Sequence, residues 1–237
     1  MRPKSILALA CGASFLWAAP IAPAPAGTLQ VNPVLVEVGA GRRTATVTVR
    51  NAEDAPVTIR AYPLGWTQAG GEDRYDESAA VIVSPPIFTI PAGGTQLVRV
   101  GLRSPSAAPQ AFRLIVEEVP QARPDGGIQV ALRLNLPLYI NIAPGDAGAL
   151  RWSAWPEPDG AWTVEAANAG PGYVRLDAAA ARAATGIGFE DDVAFGTVLP
   201  GGARRWRIGA EPPVADRPTF QRIARTQGRG VVAAGRD

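Results

Sequence analysis

The chain has 237 residues, of which 47% are hydrophobic and 19% are charged, with a formal net charge of +2. It contains no histidine, one cysteine (Cys11) and one lysine (Lys4). These absences exclude nucleophiles activated by histidine and zinc sites built from the usual histidine and cysteine ligands. The 26 glycines and 23 prolines predict many turns between short strands rather than long helices.

Residues 1–26 are predicted to be a secretory signal peptide. Arg2 and Lys4 precede an uncharged, mostly apolar run over residues 5–19, and the small residues Ala24 and Ala26 suit cleavage by signal peptidase. The run is shorter than the ~20 residues that a membrane-spanning helix needs. We therefore expect an exported bacterial protein, periplasmic or extracellular, without membrane insertion of the mature chain.

Removal of this segment changes the charge and the redox chemistry of the protein. The mature chain keeps 21 basic and 21 acidic residues, so it has no net charge and no cysteine. Nucleic acid is therefore not expected as a partner, since its binding needs a basic face. Stability in an oxidising compartment must come from packed sheets rather than from disulfides.

Residues 27–143 are predicted to form an immunoglobulin-like β-sandwich. Apolar residues alternate with period two in short runs that are bounded by glycine, proline, asparagine or aspartate. Seven or eight such strands with regular turn signals are typical of this fold. The predicted strands are 34–38, 45–49, 57–61, 81–83, 87–90, 96–102, 112–119 and 128–142. A break at residues 143–146, Ala-Pro-Gly-Asp, is the predicted domain boundary.

Residues 144–237 are predicted to form a second, smaller β-sandwich domain. The region is rich in alanine and arginine, but strand patterns remain at 161–167, 173–179, 193–199 and 204–208. The alanine content of residues 177–184 also favours a helical turn that ends at Thr185-Gly186. The acidic run Glu190-Asp191-Asp192 is interpreted as a solvated turn rather than a metal site.

The segment 128–142 is the most informative of the chain. Eight branched aliphatic residues alternate along it, although a typical strand has about 5 to 6 residues in all. Pro137 cannot donate a ladder hydrogen bond, which places this part of the strand at a sheet edge. Either the edge pairs with another chain, or the strand spans both domains and buries every aliphatic in its own core; the spacing alone leaves both open. The eight are Ile128, Val130, Leu132, Leu134, Leu136, Leu138, Ile140 and Ile142.

Five motifs in order resemble those of the periplasmic chaperones of the chaperone-usher pilus pathway. The Trp66-Thr-Gln68 motif and the 133–137 segment look most like the archaic branch of that family. The five motifs are Val49-Arg-Asn-Ala-Glu-Asp-Ala-Pro-Val57, Trp66-Thr-Gln68, Ser84-Pro-Pro-Ile-Phe-Thr-Ile-Pro-Ala-Gly-Gly-Thr-Gln-Leu-Val-Arg-Val100, Phe112-Arg-Leu-Ile-Val-Glu-Glu-Val-Pro120 and Leu132-Arg-Leu-Asn-Leu-Pro-Leu138.

This resemblance implies an all-β protein of two immunoglobulin-like sandwich domains in an L or boomerang arrangement. It also implies that the last strand of the first domain completes the unfinished sandwich of a pilin subunit, which is then delivered to an outer-membrane usher. The same strand also offers the free protein an edge for self-association, and the sequence leaves open whether it is used. The residues expected to bind pilin are Ile128, Val130, Leu132, Leu134 and Leu136.

The sequence departs from the family at two places. Better-known members anchor the terminal carboxylate of the pilin with an arginine and a lysine, which align here with Leu35 and Pro137. Arg133, on the same strand face as Pro137, is the nearest basic candidate for that role, although a solvated edge arginine is the simpler interpretation. Arg99 and Glu118 match two members of an internal ion network and are expected to form a structural ion pair.

The predicted function involves no catalytic residue, cofactor or metal. Glu117 and Glu118 are adjacent on a strand and point to opposite faces, so they cannot act together on a glycoside. Two other classes of protein stay open at this point. One is a structural pilus subunit, and the other is a secreted carbohydrate-binding β-sandwich with a tryptophan platform.

Overall fold

A computed structural model describes residues 29–120, 130–187, 189 and 195–209, with the backbone of strands at 220–224 and 232–233. The predicted signal peptide, Ile128 and the Glu190–Asp192 run lie outside these residues. The strands of the first domain are β1 Leu29–Asn32, β2 Val36–Val38, β3 Thr44–Asn51, β4 Val57–Ala69, β5 Glu72–Glu77, β6 Val81–Ser84, β7 Ile87–Ile90, β8 Thr95–Leu102, β9 Gln110–Glu118 and β10 Arg133–Ile140.

The first domain is a sandwich of two sheets. One sheet has the order β1-β3-β8-β6, and the other has the order β2-β10-β9-β4-β5, with β7 also paired to β4. Neighbours within both sheets are antiparallel, except that β2 runs parallel to β10. The first strand of the domain is divided between the sheets, since β1 joins one and β2 joins the other.

The alternating apolar residues of the two sheets face each other and form one core. Val47 and Val49 of β3 pack with Val98 of β8 and with Leu114 and Val116 of β9, all fully buried. Asn51 is the buried polar exception, and its amide donates to the carbonyls of Ala55 and Pro91 at 2.7 and 3.1 Å. The side chain thereby satisfies carbonyl groups of the turns at the end of the core, and its own buried amide is hydrogen-bonded as burial requires.

The second domain has a separate core and one helix. Its five-stranded sheet has the order β15-β12-β11-β16-β17, and β13 pairs with β14 beside it. Buried tryptophans at 152, 162 and 206 pack with Leu150 and Val164 in this core. The elements are β11 Leu150–Pro156, β12 Trp162–Asn168, β13 Val174–Arg175, α1 Ala178–Thr185, β14 Thr197–Val198, β15 Ala203–Ile208, β16 Phe220–Ala224 and β17 Val232–Ala233, with a 3-10 turn at Ala147–Ala149.

The predicted class of two immunoglobulin-like sandwiches is confirmed, with corrections in the second domain. Among the described residues, the strand predicted at 193–199 is reduced to Thr197–Val198. The strand predicted at 173–179 ends at Arg175, because Asp177 caps α1 by accepting from the amide of Ala180 at 2.7 Å. Gly186, at φ 73°, ends the helix where the sequence predicted. The domain boundary near residue 143 stays a prediction.

The tryptophans do not form a sugar platform. Trp66, Trp152, Trp155, Trp162 and Trp206 are all buried, none more than 8% exposed. This removes the feature on which a carbohydrate-binding role depended. Over the ranges that the structure describes, no helix has the length and apolar character needed to cross a membrane.

Candidate functional site

The aliphatic stripe of β10 and the residues before it passes from solvent into the core. Val130 is 79% exposed, Leu132 and Leu134 are half-buried, and Leu136 is only 7% exposed. Leu138 and Ile140 are fully buried in the first core. The stripe therefore divides into an open part at 130–134 and an internal part from Leu136 onward. This corrects the prediction that Leu136 belongs to the binding set, because its side chain already fills the core of its own domain.

The main chain of the same segment is open on one side. β10 pairs with β9 along its whole length, whereas β2 covers it on the other side only from Leu138 to Ile140. Among the described residues, no strand pairs with that side of 133–137. An unpaired edge next to exposed aliphatic side chains is a template for another strand.

The register shows which groups the open edge presents. Glu118 N donates to the carbonyl of Leu132 at 2.9 Å, so the even residues of β10 bond to β9. The odd residues point outward, as the bond from Asn141 N to the carbonyl of Val38 at 3.0 Å indicates. Arg133 and Asn135 thus offer amides to the edge, and Pro137, which has none, ends this row of donors just before β2 begins.

Arg133 is held on the outer face of its sheet by neighbouring strands. Its Nε lies 3.4 Å from Oε2 of Glu117, and its Nη2 donates to the hydroxyl of Tyr62 at 3.2 Å. Arg60 of β4 pairs with the other oxygen of Glu117. Burial alone would raise the pKa of Glu117, but the hydrogen bonds from Arg60 and Tyr62 outweigh burial and lower it. Arg133 is therefore engaged by its own sheet and is a weaker anchor candidate than predicted.

Arg113 is a basic residue of the site that the sequence did not single out. Its register partner on β10 is Pro137, and its guanidinium lies 3.7 Å above the ring of Trp66. Its Nε is buried without a hydrogen-bond partner. Within the described part of the chain, no carboxylate pairs with it. A half-buried guanidinium with an unsatisfied donor favours an incoming anion.

The predicted ion pair between Arg99 and Glu118 is wrong. Arg99 lies on β8, exposed on the outer face of the β1-β3-β8-β6 sheet, whereas Glu118 ends β9 in the opposite sheet. No ion pair joins them; instead, the carboxylate of Glu118 accepts from Leu132 N at 3.2 Å. The spacing of the two residues could not reveal that they belong to different layers of the sandwich.

An aromatic row joins the base of this sheet to the second domain. Tyr75, Trp66 and Tyr139 lie side by side across β5, β4 and β10, with ring centroids 6.4 and 5.9 Å apart. Tyr139 stacks on Tyr173 of the second domain at 3.9 Å. Burial, together with a 2.9 Å hydrogen bond to Glu37, raises the pKa of Tyr173 to about 12. Tyr173 is neutral at physiological pH. Its contacts with Tyr139 of β10 and Glu37 of β2 hold the second domain against these two strands.

The Trp66-Thr-Gln68 motif carries the polar part of this junction. Gln68 accepts from Leu199 N at 2.9 Å and donates to the carbonyl of Thr197 at 2.8 Å, both in the second domain. Asp73 accepts from Trp66 Nε1 at 2.9 Å and pairs with Arg204 at 2.5 Å. Burial tends to raise the pKa of Asp73, but the bonds from Gln68, Arg204 and Trp66 together lower it.

Asp73→Asn is expected to destabilise the protein by about 1 to 3 kcal/mol, since it leaves the mostly buried Arg204 without its ion pair. The pKa of Asp73 is lowered by folding, so its contribution is full above the unfolded value of about 4 and is lost as pH falls through the folded value. Urea unfolding of the wild type and of Asp73→Asn at pH 7 and pH 3 measures the difference in unfolding free energy and its dependence on pH. Asp159→Asn, which breaks an exposed pair with Arg207, is the control and should change little. A difference between wild type and Asp73→Asn that grows on acidification would contradict the assignment.

Comparison with known proteins finds one family model that is similar to the first domain. Residues 28–141 match the model of the pili and flagellar-assembly chaperone, PapD N-terminal domain. The match covers 114 of the 237 residues, a little under half of the chain, and over them the chain is similar to this family. The match runs from just before β1 to just after β10, so the open edge lies within it. None of the curated proteins matches the chain.

Solved pilus chaperones share the fold of both domains. The chaperone of the CsuC-CsuE chaperone-tip adhesion subunit complex, from the archaic Csu pili of Acinetobacter baumannii, has 22% identity and a TM-score of 0.64 over 78% of this chain and 89% of that chain. The E. coli chaperone DraB has 15% identity and a TM-score of 0.55, covering 79% and 87% of the two chains. The match in the complex of the Salmonella enterica SafA pilin with the SafB chaperone has 18% identity and a TM-score of 0.53. It covers 79% of this chain and 86% of that chain.

Proposed function

We propose that this protein is a periplasmic chaperone that binds exported pilin subunits through the open edge at 130–137 and delivers them to an outer-membrane usher. One observation carries the proposal: β10 combines a main-chain edge that no described strand covers at 133–137 with aliphatic side chains that emerge progressively from the core. A pilin that lacks one strand has the complementary need, since it exposes an apolar groove and an unpaired edge. The role is one of binding, without a chemical step.

The side chains that enter the client groove are Val130, Leu132 and Leu134. Each fully buried aliphatic contributes about 1.5 to 3 kcal/mol, which sets an upper limit of roughly 9 kcal/mol for the three before association costs. Leu132 and Leu134 are already half-buried, so their gain lies below that limit. The main-chain bonds that the client makes to Arg133 and Asn135 add about 0.5 to 1.5 kcal/mol each and fix the register.

Arg113 is the group that we assign to the terminal carboxylate of the client. Pro137 ends the donor amides of the edge, and Arg113 lies directly across from it on the neighbouring strand. The guanidinium of Arg113 lies over Trp66 on β4, so the side chain must turn toward β10 to meet a chain end at Pro137. Its Nε is unsatisfied, and among the described residues no carboxylate pairs with it. This position replaces the two basic residues of better-known family members, whose places are taken here by Leu35 and Pro137.

Two of the similar structures support a pilus subunit as the client. One is a complex with a tip adhesion subunit, and another is a complex with the SafA pilin. Delivery to an usher and the periplasmic location rest on the family resemblance and on the predicted signal peptide. The same open edge gives two free copies of this chain a surface on which to pair, in competition with the client.

Co-expression with a pilin subunit from the same organism tests the proposal. An affinity-tagged chaperone is expected to purify from the periplasm in a 1:1 complex with that pilin, and the pilin alone should be degraded or aggregate. Recovery of stable, soluble pilin in the absence of the chaperone, with none bound in its presence, would overturn the proposed function.

A further inference from the structure

Glu118 holds Leu132 at the point where β10 begins to separate from β9. Its main-chain N donates to the carbonyl of Leu132 at 2.9 Å, and its Oε2 accepts from Leu132 N at 3.2 Å. In a regular antiparallel pair, the second bond would go to the main-chain carbonyl of Glu118. The carboxylate therefore takes the place of a ladder acceptor at the end of the pairing.

Glu117 holds the following residue from the other face of the sheet. Its Oε2 lies 3.4 Å from Arg133 Nε, and its Oε1 pairs with Arg60. Two adjacent glutamates thus contact two consecutive residues of the edge segment. Val130, two residues before Leu132, is 79% exposed. The contacts of the two glutamates therefore lie at the start of β10, next to the solvent-exposed part of the segment.

We propose that Glu118 is a positioning residue that keeps Leu132 and the exposed Val130 extended before the client arrives. This inference rests on the proposed function, because it concerns the segment that we assign to pilin binding. A segment that must become ordered on binding loses affinity through the entropy of ordering, and preorganisation removes that loss. Glu118 acts through the main chain of Leu132 and does not itself contact the pilin.

Glu118→Ala and Glu118→Gln test this role, with Glu77→Ala as the control because Glu77 is exposed at the end of β5. In free Glu118→Ala, amide hydrogen exchange of Leu132 should accelerate about tenfold. Association with pilin freshly diluted from denaturant should slow about 5- to 30-fold, with little change in dissociation. Glu118→Gln keeps an acceptor oxygen and should restore most of both rates. Glu118→Thr, which favours strand but cannot reach the amide, gives a second test if the alanine variant folds poorly.

The outcomes separate this inference from the proposed function. Suppose that Leu132→Arg with Leu134→Arg abolishes pilin binding, but the Glu118→Ala variant shows the wild-type rates of Leu132 amide exchange and of pilin association. Then only the positioning role is overturned. If pilin binds the double arginine variant normally, the assignment of the edge itself fails. A loss that Glu118→Gln does not restore would also contradict the role, because it would show that charge rather than the acceptor bond matters.

Discussion

Replacing Leu132 and Leu134 together by arginine is expected to abolish the complex with pilin while leaving the chaperone folded. Both side chains are half-buried at the rim of the sandwich, so arginine can turn its guanidinium into solvent. In the complex, the same positions enter an apolar groove, where two unpaired charges would have to be desolvated at a cost of several kcal/mol each. Size-exclusion chromatography of the co-expressed pair measures the loss.

Two comparisons show whether this effect is specific to the open edge. Ile82→Arg with Leu97→Arg changes two exposed aliphatics of the opposite sheet, 42% and 55% exposed, and should leave the complex intact. Leu138 lies deeper in the same stripe and is fully buried, so Leu138→Ala should instead lower the free energy of unfolding of the chaperone by about 2 to 5 kcal/mol. If the control pair removes pilin as effectively as the edge pair, the binding surface is not where we place it.

Arg113→Met is expected to weaken pilin binding by about 10- to 150-fold. Methionine keeps an apolar side chain against the ring of Trp66 but removes the charge, which contributes about 1.5 to 3 kcal/mol as a charge-assisted hydrogen bond. Competition between the wild-type and variant chaperones for one co-expressed pilin gives the ratio of affinities. Arg133→Met is the matched control and should have a smaller effect, since Arg133 already contacts Glu117 and Tyr62.

A pilin whose terminal carboxylate is converted to an amide identifies the group that Arg113 binds. Wild-type chaperone should lose about as much affinity for the amidated pilin as Arg113→Met loses for the natural one. Combining the two changes should cost little more than either alone, because both remove the same contact. Fully additive losses would show that Arg113 and the carboxylate act independently and would remove the anchor assignment.

Much of the first domain could be predicted from the sequence because its strands alternate cleanly between core and solvent. Strand β5 was missed because five of its six residues are polar or charged, as suits an exposed sheet edge. The sequence also did not show that β4 runs on to Ala69, where Gly65 and the polar Thr67 and Gln68 interrupt the apolar pattern. The role of Gln68 became clear only from its hydrogen bonds to the second domain.

The edge strand was predicted from its alternation, but the division of its stripe was not. From their spacing, Leu134 and Leu136 were both predicted to bind pilin. Packing against the opposite sheet buries Leu136 and leaves Leu134 at the rim of the core. Arg113 was overlooked because an arginine between apolar residues on a strand carries no local signal. Its importance arises from a cross-strand neighbour, Pro137, which lies 24 positions further along the chain.

Amide hydrogen exchange along β10, with and without pilin, tests the central claim most directly. The amides of Arg133 and Asn135 point to the open edge, whereas those of Leu134 and Leu136 bond to β9. We predict that Arg133 and Asn135 exchange rapidly in the free chaperone and become strongly protected in the complex, while Leu134 and Leu136 are protected in both. Equally rapid exchange of Arg133 and Asn135 in a stable pilin complex would contradict strand pairing at this edge.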